Sequence, residues 1–568
     1  MATIAPEVTA GSHHAVLDHI HPEPTTFLRK YVFSLDHKVI GIQYLITGGL
    51  FFIIGGLLAE IVRTQLLTPH GAIVSPATYN AVYSMHGTTM VWFVVIPLLT
   101  GAFGNFVMPL QIGARDVAFP WLNLVSYWIF PVAGILLFSS FLIGAPDAGW
   151  TEYPPISLQG PPGTSMWCFA VFLVGISSTL TGINFTVTIL RMRAPGMTFT
   201  RMPLFVWAQL ATSPMLLIAT TALNGALVAL FLERTFGVPF FDPRHGGSPL
   251  MWQHMFWFYS HPAVYIMILP AFGFISEILP TFARKPVFGY KMIAFSSVLI
   301  ALLSFSVWAH HMFTSGMVPW LQLPFMIVTM VIAVPTGIKI FSWMATLWGG
   351  SIRWTTAMLF ATGFVVTFTF GGLTGFFLAA VPTDYHEHGT YFVVAHLHYV
   401  LFGGSMMALF GALYYWFPKM SGRMLSEAFG KWHFWLTFVG FNGTFLPQHW
   451  LGLLGMPRRV AMYDPQFQFW NQVSSVSSYV LAVGMGLMFV NVLLSLKFGQ
   501  PAGPNPWGAR TLEWMIDSPA PYYNYRTIPA VLAAPYDFGN PLPYVGLEAA
   551  AGAAEATPTQ TAHPVPTY

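Results

Sequence analysis

The sequence predicts an all-α polytopic membrane protein with twelve transmembrane helices. Of its 568 residues, 55% are hydrophobic and 8% are charged, against about 25% charged in a soluble protein. Its apolar stretches repeatedly reach the ~20 residues that cross a bilayer. They lack the short apolar–polar alternation of membrane β-barrels. The formal charge of +3 does not point to nucleic acid. The single cysteine, Cys168, lies in Met-Trp-Cys-Phe-Ala and reads as a small buried apolar residue. It leaves no intrachain disulfide and no Cys-x-x-Cys-His motif.

Taken in order, the spans fall near 39–62, 84–112, 122–144, 166–190, 204–232, 253–279, 287–309, 322–347, 357–380, 391–417, 433–453 and 473–497. Short loops punctuated by Pro and Gly join them. No interior linker marks a second domain. Residues 1–38 are polar, carry no cleavable apolar leader, and read as a cytoplasmic tail. Residues 498–568 form a C-terminal tail whose Ala/Thr/Pro-rich end reads as disordered.

Basic residues set the orientation. With the N-terminus inside, the inner face holds Arg29, Lys30, Lys38, Arg115, Arg191, Arg193, Arg201, Arg284, Lys285, Arg353, Lys419, Arg423 and Lys431. The outer face holds only Arg63, Arg234, Arg244, Arg458 and Arg459. An even number of spans returns the C-terminus to the inside.

In this frame six histidines share one level, in the outer third. His86 opens span 2, His261 lies a few turns into span 6, and His310 and His311 close span 7. His396 and His398 sit just inside span 10. Ionisable groups within a membrane are functional candidates, and scattered structural histidines have no reason to share a depth. Neutral imidazole suits copper and iron. Residues two apart on a helix are rotated by about 200°, so His396 and His398 face opposite ways and serve two partners. His310 and His311 are adjacent at a helix end, where a non-helical backbone turns both rings to one ion. With His261 they make a three-histidine site with an open position. Tyr265 lies four residues after His261, on the same helix face, where a phenol can donate a proton and an electron.

Other polar residues form lines. Lys339, Thr336 and Ser276 run from the inner half of spans 8 and 6 towards Tyr265. Asp116, Asn105 and Asn123 gather at the inner mouth between spans 2 and 3. These read as two proton routes. On the outer side Arg458 and Arg459 are paired, as suits carboxylates.

The motifs His86-Gly-Thr-Thr-Met, His261-Pro-x-x-Tyr265, His310-His311, Thr336-Gly-Ile-Lys339, Ala395-His-Leu-His398 and Pro457-Arg-Arg459 lie between Asp36 and Trp514. Through them the chain resembles subunit I of the A-type haem–copper terminal oxidases, nearly end to end. The resemblance implies twelve helices enclosing two haems and a copper. It implies His86 and His398 as axial ligands of a low-spin haem and His396 as the ligand of a high-spin haem that takes O2. His261, His310 and His311 would then hold copper B, with Tyr265 cross-linked to the first of them. Arg63 would meet a formyl group, favouring haem A, and Trp150, Asp384, Arg458 and Arg459 would lie on the propionate side. It further implies subunits II and III, cytochrome c or another c-type cytochrome as donor through subunit II, and a bacterial inner membrane. The activity implied is O2 reduction to water coupled to proton translocation.

Two departures stand out. The family's glutamate two positions after His261 is Ala263 here, and Tyr259 and Ser260 just before it match a YS-type subgroup in which hydroxyls take over. At the outer magnesium site the family's His-Asp reads His388-Gly389, leaving Glu387 as the neighbouring acid. The rival reading is a quinol oxidase of the same family, but Thr78 and Ala81 replace the His and Gln of the ubiquinol branch. A nitric oxide reductase fits Lys339 and Tyr265 poorly. A secondary transporter explains the spans but not six histidines at one depth.

Overall fold

The computed structural model describes residues 23–538, apart from 72 and 526, and the backbone of 544–546. The expected disordered end therefore lies outside the described residues. Among the described residues, twelve helices occupy the positions that hydropathy assigns. They are α1 (His37–Gln65), α2 (Pro76–Ile112), α3 (Pro120–Leu142), α4 (Gly163–Arg191), α5 (Leu204–Phe236) and α6 (Pro249–Ala283), followed by α7 (Tyr290–Ser304), α8 (Pro319–Leu347), α9 (Thr356–Ala379), α10 (Tyr391–Ser421), α11 (Glu427–Leu453) and α12 (Pro465–Phe498). Ten of them are long and apolar enough by themselves to cross a membrane. The exceptions are α7, with 15 residues, and α11, whose apolar surface is interrupted by His433, Gln448 and His449.

Local chemistry moves several expected ends. Helix α2 starts at Pro76 rather than near 84, because Ser75 accepts from the Thr78 amide and Pro76 needs no amide partner in the first turn. Helix α7 stops at Ser304 rather than 309. The Ser304 and Ser306 hydroxyls donate to the Ala301 and Leu303 carbonyls, competing with the helical ladder. A 3-10 turn, Trp308–Met312, then carries His310 and His311. Helix α8 breaks at Ile332, since Pro335 supplies no amide to the preceding turn.

Helices α2 and α6 are the centre of the bundle, with 94% and 89% of their apolar windows buried. Helices α1, α8 and α12 are buried over only 22–28% of theirs and form lipid-facing walls. Exposed Trp320, Trp348, Trp354 and Trp432 stand at helix ends, as interfacial tryptophans do. The central helices are not uniformly α. Within α2, Thr89–Val95 and Pro97–Gly104 are π-helical, and within α10 so is Leu401–Met406.

After α12 the chain folds back under one end of the bundle. Lys419, at the end of α10, donates to the Pro504 and Ile516 carbonyls. Tyr525 donates to Leu110 at the end of α2, and Tyr536 to Glu277 near the end of α6. The segment through Phe538 is thus a packed strap. Pro529–Val531 pairs antiparallel with Tyr544–Gly546.

Candidate metal centres

The first centre lies between α2 and α10. His86 Nδ1 is 2.8 Å from the Gly55 carbonyl and His398 Nδ1 2.8 Å from the Val394 carbonyl. Each Nδ1–H therefore has an acceptor, and each Nε2 keeps its lone pair. The two rings are 7° from parallel, with centroids 6.3 Å apart. Two metal–nitrogen bonds of about 2 Å, plus about 1.2 Å from each nitrogen to its ring centre, give about 6.4 Å. The spacing is that of two imidazoles that could hold one metal ion between them. Phe445 stacks on His398 at 4.1 Å and fixes its plane.

His261, His310 and His311 form the second centre. One ring nitrogen from each lies within 4.8 Å of the others. His261 Nδ1 is 3.2 Å from His311 Nε2, and His261 Nε2 is buried without a partner. Thr329 meets His310 Nδ1 at 3.0 Å and Trp257 stacks on His311 at 3.7 Å, so these rings are oriented by neighbours, as metal-bound imidazoles are. The Tyr265 ring is 4.8 Å from His261.

His396 points away from His398. Its Nδ1 meets the Gly371 carbonyl and Thr374 Oγ1, each at 3.1 Å, leaving Nε2 uncommitted. Gly375 makes room for the ring: a Cβ there would lie 2.8 Å from His396 Cε1.

At the same end, Arg63 is buried. Its Nη2 donates to the Asn471 carbonyl and Ser475 Oγ, both at 3.0 Å, while Nε and Nη1 have no partner. Two orphaned guanidinium donors at this depth suit a polar substituent of a bound macrocycle. Trp150 packs on Trp92, Phe256 and Trp257. Arg459, at φ +64°, donates to the Ala148 carbonyl and lies over Tyr83. Burial and the Arg459 charge lower Arg458 to about 10, so Arg458 stays cationic at neutral pH. His388 has an acidic partner after all: Asp384 Oδ2 lies 3.1 Å from its Nδ1, one helical turn back. Glu387, the expected substitute, instead accepts from Thr390.

The polar lines are only partly continuous. Asn123 donates to Asn105 Oδ1 at 2.7 Å, joining two of the three inner-mouth residues. Asp116 accepts from the Val117 amide, and burial and the Asp36 charge raise its carboxyl to about 8. Thr336 donates to the Ile332 carbonyl, and Ser276 accepts from Trp343, so neither bonds Lys339. Tyr259 is buried, and Ser260 Oγ is buried without a partner.

Sequence reasoning missed Ser297, Asn471, Ser475 and His449. His449 sits among Phe370, Phe392 and Tyr399 with both ring nitrogens unpartnered. Its signal was available: a histidine in an apolar span, as for the six that were singled out.

Comparison with known proteins agrees with this arrangement. The family described as cytochrome c and quinol oxidase polypeptide I matches residues 39–480. Cytochrome c oxidase subunit 1 of Synechocystis sp. is 54% identical over 90% of this chain and 92% of its own length. The subunit 1 of Thermostichus vulcanus is 51% identical over 91% and 94%, and that of Bacillus subtilis 47% over 89% and 82%. A haem–copper terminal oxidase dimer solved by cryo-EM shares the fold, with a TM-score of 0.68 at 17% identity over 82% of this chain and 85% of its own. The chain belongs to the family of cytochrome c and quinol oxidase polypeptide I, on its cytochrome c oxidase side, and is a multi-pass membrane oxidoreductase with haem and copper as its cofactors.

Proposed function

We propose that the chain works as the O2-reducing, proton-translocating subunit of a respiratory complex in a bacterial inner membrane, with both termini cytoplasmic. The observation that carries the site assignment is the convergence of His261, His310 and His311 beside a helix that turns His396 and His398 to opposite sides. His86 and His398 would hold a low-spin haem A, His396 a high-spin haem A, and the three histidines copper B. When bound, these groups store electrons and provide the O2-binding position for four-electron reduction to water.

The chain's own side chains do the rest. Gly55 and Val394 fix the tautomers of His86 and His398, so that Nε2 is the ligand atom. Tyr265, beside His261, donates a proton and an electron. Arg63 orients a formyl group through its two free donors. Arg458 and Arg459 neutralise propionates, with Trp150 on the same side. His388 would bind an outer magnesium ion, with Asp384 taking the place of the family's neighbouring aspartate. Asp116, Asn105 and Asn123 begin one inner proton route, and Lys339, Thr336 and Ser276 serve the other. Ala263 offers no carboxyl, so the Tyr259 and Ser260 hydroxyls complete the first route through water, in the YS-type manner. The orphaned Ser260 Oγ supports that role. Subunits II and III complete the complex, and a c-type cytochrome delivers electrons through subunit II.

The test is a reduced-minus-oxidised spectrum with pyridine-haemochrome and copper analysis of the purified complex. Two haem A and one copper assigned to this chain are expected. A preparation that neither contains nor takes up haem would overturn the reading.

A further inference from the structure

The C-terminal strap closes over the end of α2 where Asp116 lies, and Asn524 makes the join. Asn524 is 1% exposed, with its backbone at φ +61°, a conformation asparagine tolerates better than most residues. Its Nδ2 donates to the Ala114 carbonyl at 2.8 Å and the Arg115 carbonyl at 3.2 Å. Its Oδ1 accepts from Lys38 Nζ at 2.8 Å. The amide also meets His37 Nε2 at 2.9 Å, and His37 Nδ1 meets the Asn105 carbonyl at 2.7 Å. One side chain from the far end of the sequence thus grips the two residues before Asp116 and the first two residues of α1.

We propose that Asn524 is the positioning residue of the proton entrance, holding the Asp116 carboxyl in a closed mouth and limiting its access to bulk water. This rests on the reading of Asp116 as the start of a proton route. The bonds flanking it act on backbone and on His37, so Asn524 touches neither substrate nor cofactor. The groups facing Asp116 are Asp36, which caps α1, His37 and Lys38 from α1, Arg115 beside it, and Tyr522 from the strap. Lys38 is shared three ways, by Asp36 at 3.0 Å, the Tyr522 carbonyl at 2.7 Å and Asn524. Removing the Asn524 amide frees the carbonyls of residues 114 and 115 to take water instead. A better-hydrated carboxyl returns towards its ordinary range.

The experiment compares Asn524→Gly with the parent in the intact oxidase complex. Glycine accepts φ +61° without strain and deletes only the amide. Deuterium uptake at amides 114–118 should quicken by about tenfold, as expected for loss of local closure. The alkaline limb of the turnover–pH profile should move down by about one unit, as for a carboxyl regaining water. Tyr536→Phe, which loosens the strap at Glu277, should leave that limb in place. An unmoved limb in Asn524→Gly overturns the proposal. If that variant does not assemble, Asn524→Ser, neutral and too short to reach both carbonyls, replaces it, and the same shift is required. Asp116→Asn separates the two readings: unaffected proton uptake there refutes the entrance itself, independently of Asn524.

Discussion

Lys339 Nζ donates to Ser297 Oγ at 2.6 Å and to the Ile293 carbonyl at 2.8 Å. The lysine of α8 is therefore tied to α7, not to Thr336 one turn earlier on its own helix. A buried lysine with neutral acceptors depends on each of them, and such a hydrogen bond is worth about 0.5–1.5 kcal/mol. If the Lys339 route carries protons, Ser297→Ala should lower turnover by roughly tenfold, the kinetic equivalent of about 1.4 kcal/mol. Ser297→Thr should restore most of it. Steady-state O2 consumption by the two variants checks this.

On the proposed assignment of His396, Gly375→Ala should disturb the high-spin site alone. The added Cβ would stand 2.8 Å from His396 Cε1, too close for either ring or helix to remain in place. The expected result is a changed CO-difference spectrum with most turnover lost. The low-spin absorption from the His86–His398 pair should be retained.

Tyr265→Phe removes a hydroxyl and little volume. The metal ligands keep their own orienting partners, so haem and copper contents should match the parent. Turnover should fall by about 10²-fold or more, the usual scale for loss of a positioned proton donor. Metal analysis alongside O2 uptake separates this outcome from a folding defect.

Glu152 makes a pH prediction. It is fully buried in the loop between α3 and α4, at φ +40°, and neither carboxylate oxygen has a hydrogen-bond partner. Burial first, and then the charge of Asp147, raise its carboxyl to about 8. The folded protein therefore binds a proton that the unfolded chain releases near its ordinary value of about 4.3. Its stabilising contribution is full below that value and is lost as pH rises to about 8. Glu152→Gln keeps the neutral shape, and should flatten the fall in thermal stability between about pH 5 and pH 8. Tryptophan-fluorescence melts of the parent and variant across that range give the comparison.

Much of this architecture was legible because bilayer thickness and helix geometry leave little freedom. Twelve apolar stretches gave twelve helices, and a shared depth brought His261, His310 and His311 together. The parts that were not legible depend on the identity of a neighbour. Asp384 partners His388 because the short helix Val381–Glu387 and the turn after it place them one turn apart, which the pair His388-Gly389 concealed. Lys339 found Ser297 because α7 packs against α8, a contact no local pattern records. The π-helical stretches after His86 and His398 also lack a sequence signal. They are packing solutions that shift register by a residue, and such bulges recur at functional sites.

The placement of His396 and His398 on one turn of α10 has a mechanical consequence. Two residues along a helix rise by only about 3 Å, with no loop or hinge between them. Sliding or tilting of α10 is then a common-mode displacement, carried equally by both imidazoles. Motions that would stretch the gap between the two centres must deform the helix itself. The bundle can breathe against its lipid-facing walls while the spacing between the two imidazoles stays nearly constant.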